Sequence, residues 1–213
     1  MNQTTTGRIL VEEQFRSERL PDSLRWMYPP ANFRVEPERG ILSVEPVAKS
    51  DFWQRTHNGA QADSGHFLHM PVSGDFAVTA EVASYPLNRY DQAGVLVRAS
   101  AECWVKASLE YEPGGPSKLG AVVTNRGFSD WSFEEAPSGV GALRVQIRKT
   151  GQDIEVFFAD AGSENWRRVR QAHLDGDVNE PVDCGLYACS PIDAGFRAEL
   201  SLLRIETIGT SEE

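Results

Sequence analysis

Tryptophans set among acids, amides and bases are the side chains here best suited to chemistry. Trp53, Trp104 and Trp131 lie in D51-F-W-Q-R-T56, E102-C-W-V-K106 and S129-D-W-S132. An indole face stacks on the C–H face of a sugar ring while neighbouring polar groups bond its hydroxyls, so this mixture points to carbohydrate recognition. A large β-sheet protein also uses tryptophan in its core and at its edges, and Trp26 and Trp166 read that way. Paired carboxylates are the second candidate. Glu110 and Glu112 fall on one face of one predicted strand, and two carboxyls about 5 Å apart can run retaining glycoside hydrolysis. Glu112, however, sits at the strand end beside Pro113-Gly114-Gly115-Pro116, where solvated acids are the simpler reading. Asp91 and Asp130 are the other candidates for a second carboxylate.

Other signatures are missing. The sequence has no G-x-S-x-G, G-x-G-x-x-G, P-loop, H-E-x-x-H or C-x-x-C pattern, and no cofactor is expected. His66 and His69 are three apart in a predicted strand, so their side chains diverge. His57, Asp63 and His66 converge only if Asn58–Ser64 is a loop, and no metal is expected.

The elements that must position these groups are strands. Short runs separated by Gly, Pro, Asn and Asp recur from Ile41 to Glu206, and no dozen residues carry a capped helical stripe. In Cys103–Tyr111, Cys103, Val105, Ala107, Leu109 and Tyr111 alternate with Trp104, Lys106, Ser108 and Glu110. A period of two sends these sets to opposite faces of a sheet. In the preceding run Ala93, Val95, Val97 and Ala99 alternate with Gln92, Gly94, Leu96 and Arg98. The short connection at Ser100–Glu102 makes the two runs a hairpin. Gln92, Arg98, Trp104, Lys106 and Glu110 then share one face, flanked by Trp53, His66, Asp130 and Trp131. The nine residues are the expected lining of a ligand groove. Trp104 should be open to the ligand there, so its removal should cost less than that of a core tryptophan. Lys106 and Glu110 could also be a structural ion pair.

Composition narrows the classes. The chain has 213 residues, 40% of them hydrophobic, and no Ser/Gly/Pro-rich linker divides it. One domain over residues 1–208 with a short polar tail at 209–213 is expected, an all-β sandwich of two antiparallel sheets. A formal charge of −10 without a basic cluster argues against nucleic acid. No apolar run is long enough to span a membrane. The first ten residues lack a basic n-region and an apolar run of signal-peptide length. With three cysteines, an odd number, this favours reduced thiols and a cytoplasmic location. Cys184 and Cys189 are five apart in one predicted strand, on opposite faces, and are badly placed to pair.

Segments spread along the chain resemble the DUF1349 family of concanavalin A-like proteins, also labelled regulation of enolase protein 1-like. They are D51-F-W-Q-R-T56, G65-H-F-L68, G74-D-F76, Y90-D-Q-A-G94, W104-V-K106 with Glu110, V123-T124, S129-D-W-S132 and G185-L-Y-A-C-S-P191. Leu24-Arg25-Trp26 with Pro29-Pro30 also fits. The resemblance implies a jelly-roll sandwich of lectin and glucanase architecture. Related glucanases carry an E-x-D-x-x-E strand motif that this sequence lacks. The expected function is binding of a carbohydrate or small polyol, with glycoside hydrolase-like activity left open. The alternative is a protein-interaction module that regulates a metabolic enzyme.

Overall fold

The computed structural model describes residues 7–209, so all but the first residue of the expected tail lies outside the described residues. Seventeen strands and no helix are present among them. One sheet, the front sheet, runs β12 (Phe128–Glu135), β11 (Lys118–Asn125), β10 (Cys103–Glu110), β9 (Gln92–Ser100), β16 (Val182–Cys189), β7 (His66–Val72) and β2 (Arg25–Met27). The back sheet runs β15 (Arg167–His173), β14 (Asp153–Asp160), β13 (Ala142–Thr150), β8 (Phe76–Tyr85), β17 (Arg197–Thr207), β4 (Ile41–Glu45) and β3 (Asn32–Glu36), with β1 (Ile9–Glu13) also pairing to β17. A separate hairpin, β5 (Phe52–Gln54) and β6 (Gln61–Asp63), belongs to neither. All named pairs are antiparallel, which gives the expected jelly-roll sandwich.

The main core follows from the alternation. Ala93, Val95 and Val97 of β9 and Val105, Ala107 and Leu109 of β10 are buried against Val78, Ala80, Val145, Ile147, Val156 and Leu203 of the back sheet. Fully burying each larger aliphatic side chain contributes about 1.5–3 kcal/mol. In β17 the pattern breaks at Ser201, between Leu200 and Leu202. Ala198 and Leu200 point inward, the register shifts, and then Leu203 and Ile205 point inward. The extra residue is a bulge that restores the apolar face after a change of parity.

A second core lies on the other face of the front sheet. Leu96, Trp104, Val122, Tyr187 and Cys189 of the sheet, with Phe67, close around Phe52 of the hairpin. The Phe52 ring meets Trp104 at 6.1 Å and Tyr187 at 6.2 Å, both edge to face. Gly65 permits this contact, because a Cβ there would come within 2.3 Å of the Phe52 ring and 2.6 Å of Cys189 Sγ. All three cysteines are free thiols. Cys184 faces the main core and Cys189 the second, as the odd spacing requires.

Candidate functional site

Beside the hairpin, the outer face of the front sheet holds a cavity of about 570 Å³. Its floor comes from β9, β10 and β11 through Gln92, Lys106, Glu110 and Val122. Trp53 and the 56–60 loop form one wall and Trp131 of β12 another, while Asp51, Tyr90, Pro191 and Ile192 complete the rim. The register explains the floor: Lys106, Val122 and Trp131 lie in one row across β10, β11 and β12. Gly120 leaves room for the Trp131 ring, since a Cβ there would lie 3.0 Å from its Nε1.

Lys106 is 3% exposed, and its ammonium donates to Asp51 Oδ1 at 3.0 Å. It also stands 5.8 Å from the ring centres of both Trp104 and Tyr187. Burial opposes its charge most strongly, but Asp51, Cys189 and Glu110 together outweigh that and raise its pKa. Glu110 is 8% exposed. Gln92 Nε2 donates to Glu110 Oε2 at 3.2 Å, and Tyr187 donates to Gln92 Oε1 at 2.9 Å. The amide is thereby oriented with its N–H toward the acid. Burial lifts the Glu110 carboxyl to about 7, against the opposing pull of Lys106 and with further upward pushes from Asp51 and Glu112.

The loops around the cavity are tied to one another beneath it. Asp91 accepts from the backbone N–H of Leu87 and Asn88 at 2.9 and 2.7 Å, and from Ser190 Oγ at 2.6 Å. Ser50 Oγ accepts from Ser190 N at 3.0 Å and donates to Val47 O at 2.7 Å. These buried bonds fix Asp51, Tyr90 and Pro191 relative to one another. Tyr90 and His57 hold φ of 72° and 75°, a region that non-glycine residues occupy at a cost. The Arg89 guanidinium lies 4.7 Å over the Tyr90 ring and bonds Glu112 at 2.9 Å.

Five of the nine residues expected from the sequence line this cavity: Trp53, Gln92, Lys106, Glu110 and Trp131. The other four do not. Trp104 points to the expected face but is fully buried, because the hairpin covers it. His66 Nδ1 donates to Tyr28 O at 2.5 Å, and its Nε2 accepts from Val47 N at 3.0 Å, so the ring links backbone segments. Arg98 bonds Asp63 of the hairpin at 2.8 Å. Asp130 is opposite Val123 in the register and takes the inner face, where it pairs with Arg170 of β15 at 3.0 Å. Residues Gln61–Asp63 form a strand rather than a loop, and Asp63 and His66 are engaged as described. Asp51 and Tyr90 join the lining beyond the nine expected residues, and each begins a segment that carries the family resemblance.

The raised acid has a measurable consequence. The ordinary value for Glu110 is 4.5 and the folded value about 7, so between these the folded state holds the extra proton. Stability contributed by this group falls as pH rises through that window, on the order of 2–3 kcal/mol between pH 5 and 8. Glu110→Gln should therefore flatten the pH dependence of urea unfolding and gain most over the parent at pH 8. Equal pH slopes in parent and variant would contradict this account of the carboxyl.

Fold and site together define a concanavalin A-like sandwich with a polar, aromatic cavity on the outer face of one sheet. The chain belongs to the family described as protein of unknown function (DUF1349), whose model matches residues 26–208. It is 34% identical over 180 residues to "Regulation of enolase protein 1" of Saccharomyces cerevisiae, spanning 83% of this chain and 85% of that protein. A solved structure of a functionally unknown protein from Saccharomyces cerevisiae aligns with a TM-score of 0.80 at 27% identity, over 89% of this chain and 98% of that one. The GH43 BlXynB protein from Bacillus licheniformis aligns at 0.71 with 14% identity, over 93% of this chain and 39% of that one. The last likeness is one of fold alone.

Proposed function

We propose that the chain binds a carbohydrate or other small polyol in the cavity between Trp53 and Trp131. The observation that carries this reading is the floor. A buried ammonium with one acceptor among the described residues, Asp51, lies beside a buried carboxyl held by one amide. Two donor hydrogens of Lys106 and Glu110 Oε1 thus lack protein partners among the described residues, and hydroxyls supply both roles. Indole walls take the apolar face of a ring. The reading is restricted to binding: Asp51 is paired with Lys106 and Glu112 with Arg89, so the carboxylates flanking Glu110 are already held.

Trp131 is half-buried on an edge strand, so its removal disturbs the fold less than loss of a core tryptophan. Trp131→Ala should weaken binding of a sugar identified on a glycan array by tenfold or more, about 1.4 kcal/mol, with the unfolding midpoint close to the parent. Unchanged affinity in titration calorimetry would refute the assignment of this cavity.

A second reading is a module that acts on a metabolic enzyme through protein contact. It is supported by the name of the 34% identical yeast relative. Co-purification of such an enzyme at stoichiometric amounts, undiminished in Trp131→Ala, would favour it.

A further inference from the structure

Given the ligand-binding reading above, we propose that the cavity selects neutral polyols and rejects anionic ones, with Glu110 as the residue that enforces the rule. The charges at the floor carry this. Lys106 and Asp51 cancel at 3.0 Å, which leaves no surplus positive charge for a ligand anion. Glu110 then sets the balance to zero when protonated and to −1 when ionised.

The other cations near Glu110 are engaged elsewhere. Arg89, on the loop before β9, is bonded to Glu112 and stacked on Tyr90. Lys118 is opposite Glu110 on β11, but its ammonium lies 4.9 Å over the Phe133 ring and 4.0 Å from Glu135. From β16, Tyr187 is bonded to Gln92, and Cys189 is buried with its thiol pushed well up by burial. Both are neutral toward Glu110. Among the described residues, His57 on the hairpin loop and the Tyr90 phenol are the remaining titratable groups that line the cavity.

A sugar hydroxyl tolerates either state of Glu110, because it donates to the carboxylate and accepts from the acid. A ligand carboxylate tolerates only the acid. Beside ionised Glu110 it would place two uncompensated negative charges in a largely buried site, where like charges repel strongly. Glu110 titrates at about 7, so its protonated fraction falls about tenfold between pH 6 and 8.

The test is a matched panel of methyl aldopyranosides and the corresponding uronates, titrated calorimetrically at pH 6 and 8 against the parent, Glu110→Gln and His57→Gln. For the parent, affinity for the best neutral glycoside should change less than threefold between the two values. Its uronate should bind more weakly at both and lose about a further tenfold at pH 8. Glu110→Gln should abolish the tenfold loss for the uronate, read as the ratio of that variant's own uronate affinities at pH 6 and 8. His57→Gln should leave that loss in place. Uronates binding as tightly as neutral glycosides at pH 8 would overturn the proposal while leaving the cavity a sugar site. So would a pH dependence that persists in Glu110→Gln and vanishes in His57→Gln. Failure of every glycoside to bind at either pH would remove the ligand-binding reading and this inference with it.

Discussion

Replacing Trp104 with alanine is expected to lower the unfolding free energy by about 3–5 kcal/mol, the range for removing a large aromatic from a core. The residue is fully buried and its Nε1 donates to Ala101 O at 3.2 Å. Its ring supports Phe52, the residue by which the hairpin is seated on the sheet. The variant would lose the indole contacts and leave a void that Phe52 and Leu96 cannot both fill. The local effect should be as plain as the global one. The hairpin is closed by backbone bonds such as Arg55 N to Ala60 O at 2.8 Å. Without its seat it should exchange amide hydrogens earlier than the β9–β10 ladder. Urea unfolding with hydrogen exchange measures both. A loss below about 1 kcal/mol would mean that the indole is not packed as described.

The same residue shows how far the sequence could be read. Alternation gave Trp104 its face correctly, since Val105, Ala107 and Leu109 occupy the core side. It could not show that a hairpin forty residues earlier folds over that face. Phe52-Trp53-Gln54 is three residues long, too short for a periodic signal, and its partner Gln61-Ala62-Asp63 carries almost no apolar pattern. Most of the strands that the sequence announced are central ones, where two-fold alternation is long and regular, although the edge strand β15 was announced as well. β1, β2 and β3 are short strands whose positions are mostly exposed or half-buried, so polar residues are tolerated on either side. β12 hides for another reason. Its outer face reads Ser129, Trp131 and Phe133, but the buried Ser129 is chosen for a 2.7 Å bond to Thr124 and a 2.9 Å bond from Gln54 N rather than for apolarity.

For the site, residues on the central strands were legible and residues on loops were not. Gln92, Lys106 and Glu110 share a face because their strands are neighbours in sequence and in space. Asp130 was placed beside Trp131 by adjacency, but adjacent strand residues face opposite ways, and only β12's strand state reveals it. Asp51 and Pro191 reach the cavity through the Asp91–Ser190–Ser50 bonds, which join segments up to 140 residues apart. Such contacts leave no local pattern.

Neutralising Asp51 should expose the cost of burying Lys106. In Asp51→Asn the oxygen that accepts from Phe52 N at 2.8 Å remains, but the negative charge 3.0 Å from the ammonium is lost. Breaking a buried pair by removing one charge typically costs about 3–5 kcal/mol, because the partner stays desolvated. The loss should depend on pH in a defined sense. Burial opposes the Lys106 charge most strongly and Asp51 is the first of the charges that offset it, so the variant leaves a desolvated ammonium without its nearest counter-charge. The pH dependence between pH 5 and 8 runs through Glu110, since Asp51 is one of the charges that push its carboxyl up. Once ionised at alkaline pH, Glu110 becomes the remaining counter-charge. The loss relative to the parent should therefore be largest near pH 5, where Glu110 is protonated, and smaller by pH 8, where ionised Glu110 stands as counter-charge. The parent itself loses stability over the same window through Glu110, which narrows the gap further. Adding Lys106→Met removes the stranded charge and should restore most of the stability at both pH values. Urea unfolding of the parent, the single variant and the double variant at pH 5 and 8 measures the whole cycle. A single variant as stable as the parent at pH 5, or a double variant no better than the single, would show that the buried pair is not what holds this loop on the sheet.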